Sequence, residues 1–149
     1  MKKNRLLLIV FILVTTAVTL VFFGLRKFSE FKTENYLKPA KAKNEIVKLM
    51  TAVLIYEQEQ GILPSKEVFK NLKNYQPQTS VVLQIPPDLD PWGAPYEFKV
   101  PGPEDLPYSI ISYGADKKPG GAGKDADITS DPVYQKYKKQ LNNSSSPEE

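Results

Sequence analysis

The stretch DPWGAPYEFKVPGPEDLPYSIISYGADKKPGGAGKDADITS (Asp90–Ser130) decides the fold. Its first half alternates enough to predict two strands, Tyr96 to Val100 and Tyr108 to Tyr113, with PGPEDLP between them as a hairpin connection. Its second half is a loop in which Gly114, Gly120, Gly121 and Gly123 are interleaved with Asp116, Asp125 and Asp127. Glycine lets the backbone fold tightly enough to turn its carbonyls inward. Clustered carboxylates repel one another unless something positive sits between them. Carboxylate and carbonyl oxygens together are the ligand set of a hard cation, most often calcium. The competing reading is a solvated turn, with Lys117, Lys118 and Lys124 neutralising the acids. The acids lack the alternate-residue spacing of an EF-hand.

Upstream, NEIVKLMTAVLIYEQEQG has a helical period. Ile46, Leu49, Met50, Val53 and Tyr56 fall on one stripe, which predicts a core-facing helix rather than a binding surface. Gly61 is placed to cap it and Pro64 forbids its continuation. Ser65 can cap a short second helix reaching about Leu72, and Asn74 to Pro87 reads as loop. One long helix covering a small antiparallel sheet is an α+β arrangement. In DPWG, Asp90-Pro91 and Gly93 build a turn, and the Trp92 indole is expected to pack on the sheet edge or the long helix. Trp92, Tyr96 and Tyr108 have no polar constellation beside them that would make a sugar or peptide site.

Further upstream, LLLIVFILVTTAVTLVFFGL (Leu6–Leu25) is uncharged. About twenty such residues match the hydrocarbon core of a bilayer. Lys2, Lys3 and Arg5 precede it, as expected of a cytoplasmic N-terminus, although Arg26 and Lys27 follow. No small-x-small cleavage site stands out after it, so an uncleaved anchor is expected, with the remainder outside the cytoplasm. The expected organisation is an anchor over 1–27, a domain over 28–130 and a polar tail over 131–149. The tail would form one or two helical turns and then disorder at NNSSSPEE.

Composition excludes several functions. The chain has no cysteine and no histidine, which removes disulfides, thiolate zinc sites and histidine-based triads. Its net charge of +3 is too mild, and its basic residues too scattered, for nucleic-acid binding. No nucleophile elbow, Ser-x-x-Lys pair or phosphate-binding glycine loop is present. Neither an enzyme nor a small-molecule binder is expected.

Three stretches carry a family resemblance. AKNEIVKLMTAVLIYEQEQGILP (Ala42–Pro64) is similar to the second half of a pilin-like long helix. DPWGAPYEF (Asp90–Phe98) looks like a DPWGxxYxY signature, and SYGADKKPGGAGKDADITS (Ser112–Ser130) is similar to a terminal loop of the form SLGADGxxGGxGxxADI. Together they resemble the major pseudopilin of bacterial type II secretion systems. That resemblance implies a single-pass inner-membrane protein with a small periplasmic domain, whose subunits polymerise to support export across the outer membrane. It also implies a calcium ion held by the side chains of Asp116 and Asp125, with Asp127 as a third and a backbone carbonyl near Tyr113 as a further ligand. The implied partners are the lipid bilayer and other pseudopilin or secretion subunits, copies of the same chain included. The N-terminus departs from the pattern. The family's Gly-Phe-Thr-Leu-Ile-Glu is absent, Arg5 or Leu6 stands at the cleaved glycine, and Val10 or Phe11 stands at the assembly glutamate. The family's proline within the membrane helix is missing too. These departures point to a second expectation, a membrane-tethered pilin-like adaptor or binding module that does not polymerise.

Overall fold

A computed structural model describes residues 2–78 and 85–144. The chain begins with a helix, α1 (Lys2–Lys32), which passes through a π-helical turn (Thr33–Leu37) into α2 (Lys38–Gln60). In the π turn the Lys38 N–H reaches back five residues to the Thr33 carbonyl. Pro39 sits just after the π turn, in the first turn of α2, and offers no N–H to the helical carbonyls behind it. From Phe11 onward the side chains of α1 are exposed, including Phe22, Phe23 and Leu25. Thr15, Thr16 and Thr19 donate their hydroxyls to carbonyls one turn back, at 2.9, 2.9 and 2.8 Å. Their polar atoms are thus satisfied within the helix, as a hydrocarbon environment requires. The N-terminal helix is long and apolar enough to cross a membrane.

α2 places the predicted stripe as read. Ile46, Leu49, Met50 and Val53 are buried and Tyr56 packs against them half-buried. Burying an aliphatic side chain of this size contributes about 1.5–3 kcal/mol. Gly61 closes the helix in the left-handed conformation (φ 72°), its N–H bonded to the Glu57 carbonyl at 2.8 Å. Ser65 caps α3 (Lys66–Lys70) by accepting the Val68 N–H, and the chain leaves through a 3-10 turn at Leu72–Asn74. The predicted loop from Asn74 to Pro87 lies partly outside the described residues.

The sheet has three antiparallel strands, β1 (Glu97–Lys99), β2 (Ser109–Ser112) and β3 (Ile128–Thr129), with β2 in the middle. Phe98 pairs with Ile110, and Ser112 with Ile128. The two expected strands form the hairpin, whereas Ile128–Thr129, expected within the loop, add a third strand through their pairing with Ser112 and Ile111. All four residues of β2 are buried. Its two serines tolerate this because each donates a 2.6 Å hydrogen bond, Ser109 to Asp131 and Ser112 to Asp90. Phe98 stacks on Phe69 of α3, and Tyr108 meets Tyr134 edge to face. The core therefore joins α2, α3 and the sheet in the expected α+β arrangement.

Tyr134 belongs to α4 (Asp131–Ser144), a fourteen-residue helix where the sequence suggested one or two turns. Its first turn is fixed by Ser130, whose carbonyl accepts the N–H groups of Val133 and Tyr134. Val133 and Tyr134 then pack on the core. Asn142 to Ser144, expected to be disordered, belong to this helix, and the rest of that stretch lies outside the described residues.

Candidate functional site

Two acidic turns flank the sheet, and the structure treats them differently. The first is DPWG. Asp90 is buried, and its Oδ1 accepts the N–H groups of Trp92 at 3.0 Å and Ala94 at 2.8 Å. Its Oδ2 accepts the Ser112 hydroxyl. One carboxylate thus shapes the turn and rivets it to the central strand. The turn aims Trp92 at the π-helical turn, where the indole Nε1–H donates to Glu34 at 3.2 Å. Glu34 also pairs with Lys38 at 2.6 Å. The Lys38 hydrogen bond is the main cause that lowers the Glu34 carboxyl below its ordinary pKa, with Trp92 and Lys124 adding to it. Trp92 therefore meets the base of the long helix, as the sequence suggested. The specific partner, fifty-eight residues away, was not foreseeable.

Tyr96 of the signature and Tyr108 beside β2 are both core residues. Tyr96 is buried and donates to Glu45 of α2 at 2.7 Å, while Lys41 lies 3.8 Å from the same carboxylate. Burial first, and Glu45 second, raise the Tyr96 hydroxyl far above its ordinary pKa. Tyr108 is also buried, and its hydroxyl has no hydrogen-bond partner.

The second turn is the glycine-rich loop. Gly114, Gly120, Gly121 and Gly123 all have positive φ, between 62° and 93°. At Gly114 an added Cβ would stand 2.8 Å from the Lys124 carbonyl oxygen and 2.9 Å from that of Ala126. At Gly121 it would collide with the carbonyl of Asp125. The loop thus closes tightly on the carbonyls of residues 124–126, and Ala115 N–H bonds one of them, on Lys124, at 3.0 Å. A 3-10 turn (Gly123–Asp125) carries Asp125.

The four predicted ligand residues diverge in surroundings. Asp116 is exposed, and its Oδ1 accepts the Lys118 N–H at 3.1 Å. Asp125 pairs with Lys124 at 2.9 Å. Asp127 accepts the Gly120 N–H on Oδ2 at 3.0 Å, while its Oδ1 is buried without a hydrogen-bond partner. The side chain of Tyr113 turns away to β1, where its hydroxyl bonds Glu97 and its ring lies under Lys99. That Glu97 bond is the main cause that raises the Tyr113 hydroxyl. Among the described residues, no three His, Cys, Asp or Glu side chains converge to hold a metal. A cation here must therefore lean on carbonyl oxygens as well as carboxylates. Asp127 Oδ1, buried without a hydrogen-bond partner, and the carbonyls at 124–126 are oxygens of the kind a hard cation takes.

Comparison with known proteins gives the same reading of the domain. A family model described as "Type II secretion system (T2SS), protein G" matches residues 31–131. The type II secretion system core protein G of Pseudomonas aeruginosa is 34% identical over 101 residues, covering 61% of this chain and 69% of the relative. That of Xanthomonas campestris pv. campestris is 35% identical over 91 residues, covering 58% of this chain and 62% of the relative. The match begins just before the π turn, spans the helix, the DPWG turn and the acidic loop, and ends at the start of α4. With helix, signature turn and loop all inside one matched span, the chain belongs to the protein G family of type II secretion systems.

Proposed function

We propose that this protein is a structural pseudopilin subunit of a type II secretion apparatus, anchored in the bacterial inner membrane by α1 with its α+β domain in the periplasm. The family match over residues 31–131 carries this reading. It is supported by an N-terminal helix with an exposed apolar surface continuing into a core-facing helix. Its work is mechanical rather than catalytic. The anchors pack laterally with other secretion subunits, and export across the outer membrane depends on that assembly. Cysteine pairs placed along α1 test it cleanly, because the chain has no cysteine of its own. A ladder of cross-linked copies in cells making the whole apparatus is expected, together with loss of export when the gene is deleted. Dimers at most, with export intact, would overturn it.

A second reading follows from one observation. Val10 and Phe11 carry no charge where the family places an assembly glutamate. A tethered adaptor that does not polymerise accommodates this, and the same cross-linking experiment separates the two.

We further propose that calcium stabilises the domain through the loop, held by Asp127, by Asp125 once released from Lys124, and by backbone carbonyls, with Asp116 at the loop's exposed rim. Calcium would supply positive charge among oxygens that otherwise repel. The chain's own contribution is the glycine-permitted fold that holds those oxygens close. Calorimetry and calcium titration of the full chain in detergent micelles test it, and an identical melting temperature in calcium and in chelator would overturn it.

A further inference from the structure

β1 is an edge strand, with β2 between it and β3. Ile110 of β2 directs both its backbone groups at Ser130. Its N–H donates to the Ser130 hydroxyl and its carbonyl accepts the Ser130 N–H, each at 2.9 Å. In an antiparallel ladder, a residue that bonds on one side is turned away from the strand on the other. Phe98, the partner of Ile110 on β1, therefore presents its own N–H and C=O to the open edge. Among the described residues no backbone group outside the sheet bonds to them. The Phe98 ring is buried meanwhile, stacked on Phe69 of α3 with 4.5 Å between centroids.

A groove of about 540 Å³ lies at this edge, lined by α3, β1 and the residues that follow Trp92. Phe69, Pro95 and Phe98 give it an apolar lining, and three exposed lysines, Lys66, Lys70 and Lys117, line it as well. Lys66 and Lys117 make no ion pair among the described residues, and Lys70 has only an exposed contact with Glu67 at 3.6 Å. Glu97 is the acid of the groove, and its carboxylate already accepts the Tyr113 hydroxyl. The site thus combines two free backbone groups, apolar contact and uncompensated positive charge. Lysine beside an open edge turns away another basic strand, and the same charge admits an acidic one. We propose that β1 is a docking edge for an extended acidic segment of a partner protein. The segment pairs with Phe98 as a fourth strand, rests an apolar side chain on Phe69 and Pro95, and sets its carboxylates beside Lys66 and Lys117. Main-chain bonds supply the attachment, and the flanking side chains choose the sequence. This goes beyond the subunit role and needs neither calcium nor a filament.

The probe is a fluorescein-labelled heptapeptide of alternating glutamate and valine, titrated with the full chain in neutral detergent micelles and followed by anisotropy. Its controls are the same peptide with lysine for glutamate, the same peptide N-methylated along its backbone, and empty micelles. The acidic peptide should bind the wild type, and the lysine peptide roughly tenfold more weakly or not at all. Lys66→Glu combined with Lys117→Glu turns two attractions into repulsions and should weaken the acidic peptide by roughly tenfold. Its melting temperature should stay at the wild-type value, because both lysines are exposed. N-methylation removes the donors that the Phe98 carbonyl needs and should weaken binding about fivefold. No binding of the acidic peptide, or equal binding of the acidic and lysine peptides, would overturn the docking edge. That comparison is made on the wild type, so it decides even if the double variant melts early. Unweakened binding by a folded double variant would overturn the site as well. Full affinity of the N-methylated peptide would overturn the strand pairing. Self-association of the chain that the acidic peptide does not compete would give the edge to a second copy and overturn the proposal.

Discussion

Asp90 and Asp127 are both aspartates in glycine-containing turns beside the same strand, yet their surroundings are opposite. Asp90 receives two backbone N–H groups and a serine hydroxyl and needs nothing from outside the chain. Asp127 receives one backbone N–H and keeps a buried oxygen with no partner. Burying an oxygen that wants a hydrogen bond costs on the order of 1–3 kcal/mol unless something satisfies it. The first turn is therefore complete as a piece of protein. The second is not: it buries a carboxylate oxygen that the chain itself does not hydrogen-bond.

Removing each carboxylate is the sharpest way to break this contrast. Asp90→Ala should destabilise the full chain by about 3–4 kcal/mol, because three groups lose a buried partner at once. Chemical denaturation in micelles checks it, and a loss under about 1 kcal/mol would refute the rivet. Asp127→Asn should behave differently. In chelator its stability should match the wild type closely, and the calcium-induced gain should disappear. For the wild type that gain is expected to be about 2.7 kcal/mol at calcium a hundredfold above its dissociation constant. Retention of the full calcium gain in Asp127→Asn would remove Asp127 from the site.

The two turns' glycines offer a smaller test. Gly93 and Gly121 both have positive φ, at 77° and 93°, but a Cβ at Gly93 meets open space and one at Gly121 strikes the Asp125 carbonyl. Gly93→Ala should cost about 1 kcal/mol from backbone strain alone, and Gly121→Ala about 2 kcal/mol or more. Equal melting temperatures for the two variants would contradict the tight closure of the loop. The smallest effect concerns pH. The Glu34 carboxyl sits below its reference of 4.5, chiefly through Lys38, so its contribution is fully present above that value. It should fade as pH falls through the lower folded-state pKa, by the usual proton linkage. Trp92 emission should change in that acid range, and Glu34→Gln should abolish the change.

What the sequence made legible was local. Gly61, Pro64 and Ser65 announced a helix end and a helix start through their own backbone chemistry, and each did what was expected. The stripe from Ile46 to Tyr56 announced a core because four of its five members had to be covered. β3 was illegible because two residues carry no alternation, and their strand identity comes from pairing with Ile111 and Ser112. α4 was underestimated for a similar reason. Its lysines and asparagines resemble a solvated tail, and among the described side chains it is Val133 and Tyr134 that pack on the core. In the loop, the residues were visible but their unequal environments were not. Nothing in GKDAD says that Lys124 pairs with Asp125 while Asp127 buries an oxygen.

The π-helical turn has a consequence for how the two helices present themselves to neighbours. A five-residue hydrogen-bond step adds one residue to the turn, which amounts to about 100° of rotation around the helix axis. Side chains below Thr33 and above Leu37 therefore fall out of azimuthal phase with one another. A ridge that would run unbroken along a regular helix is offset at this point, like a thread restarted partway along a screw. A neighbouring rod lying against α1 can mesh with it without dictating which side of α2 faces the sheet. The anchor and the domain can thus be tuned to different surroundings by independent substitutions, although they share one continuous backbone.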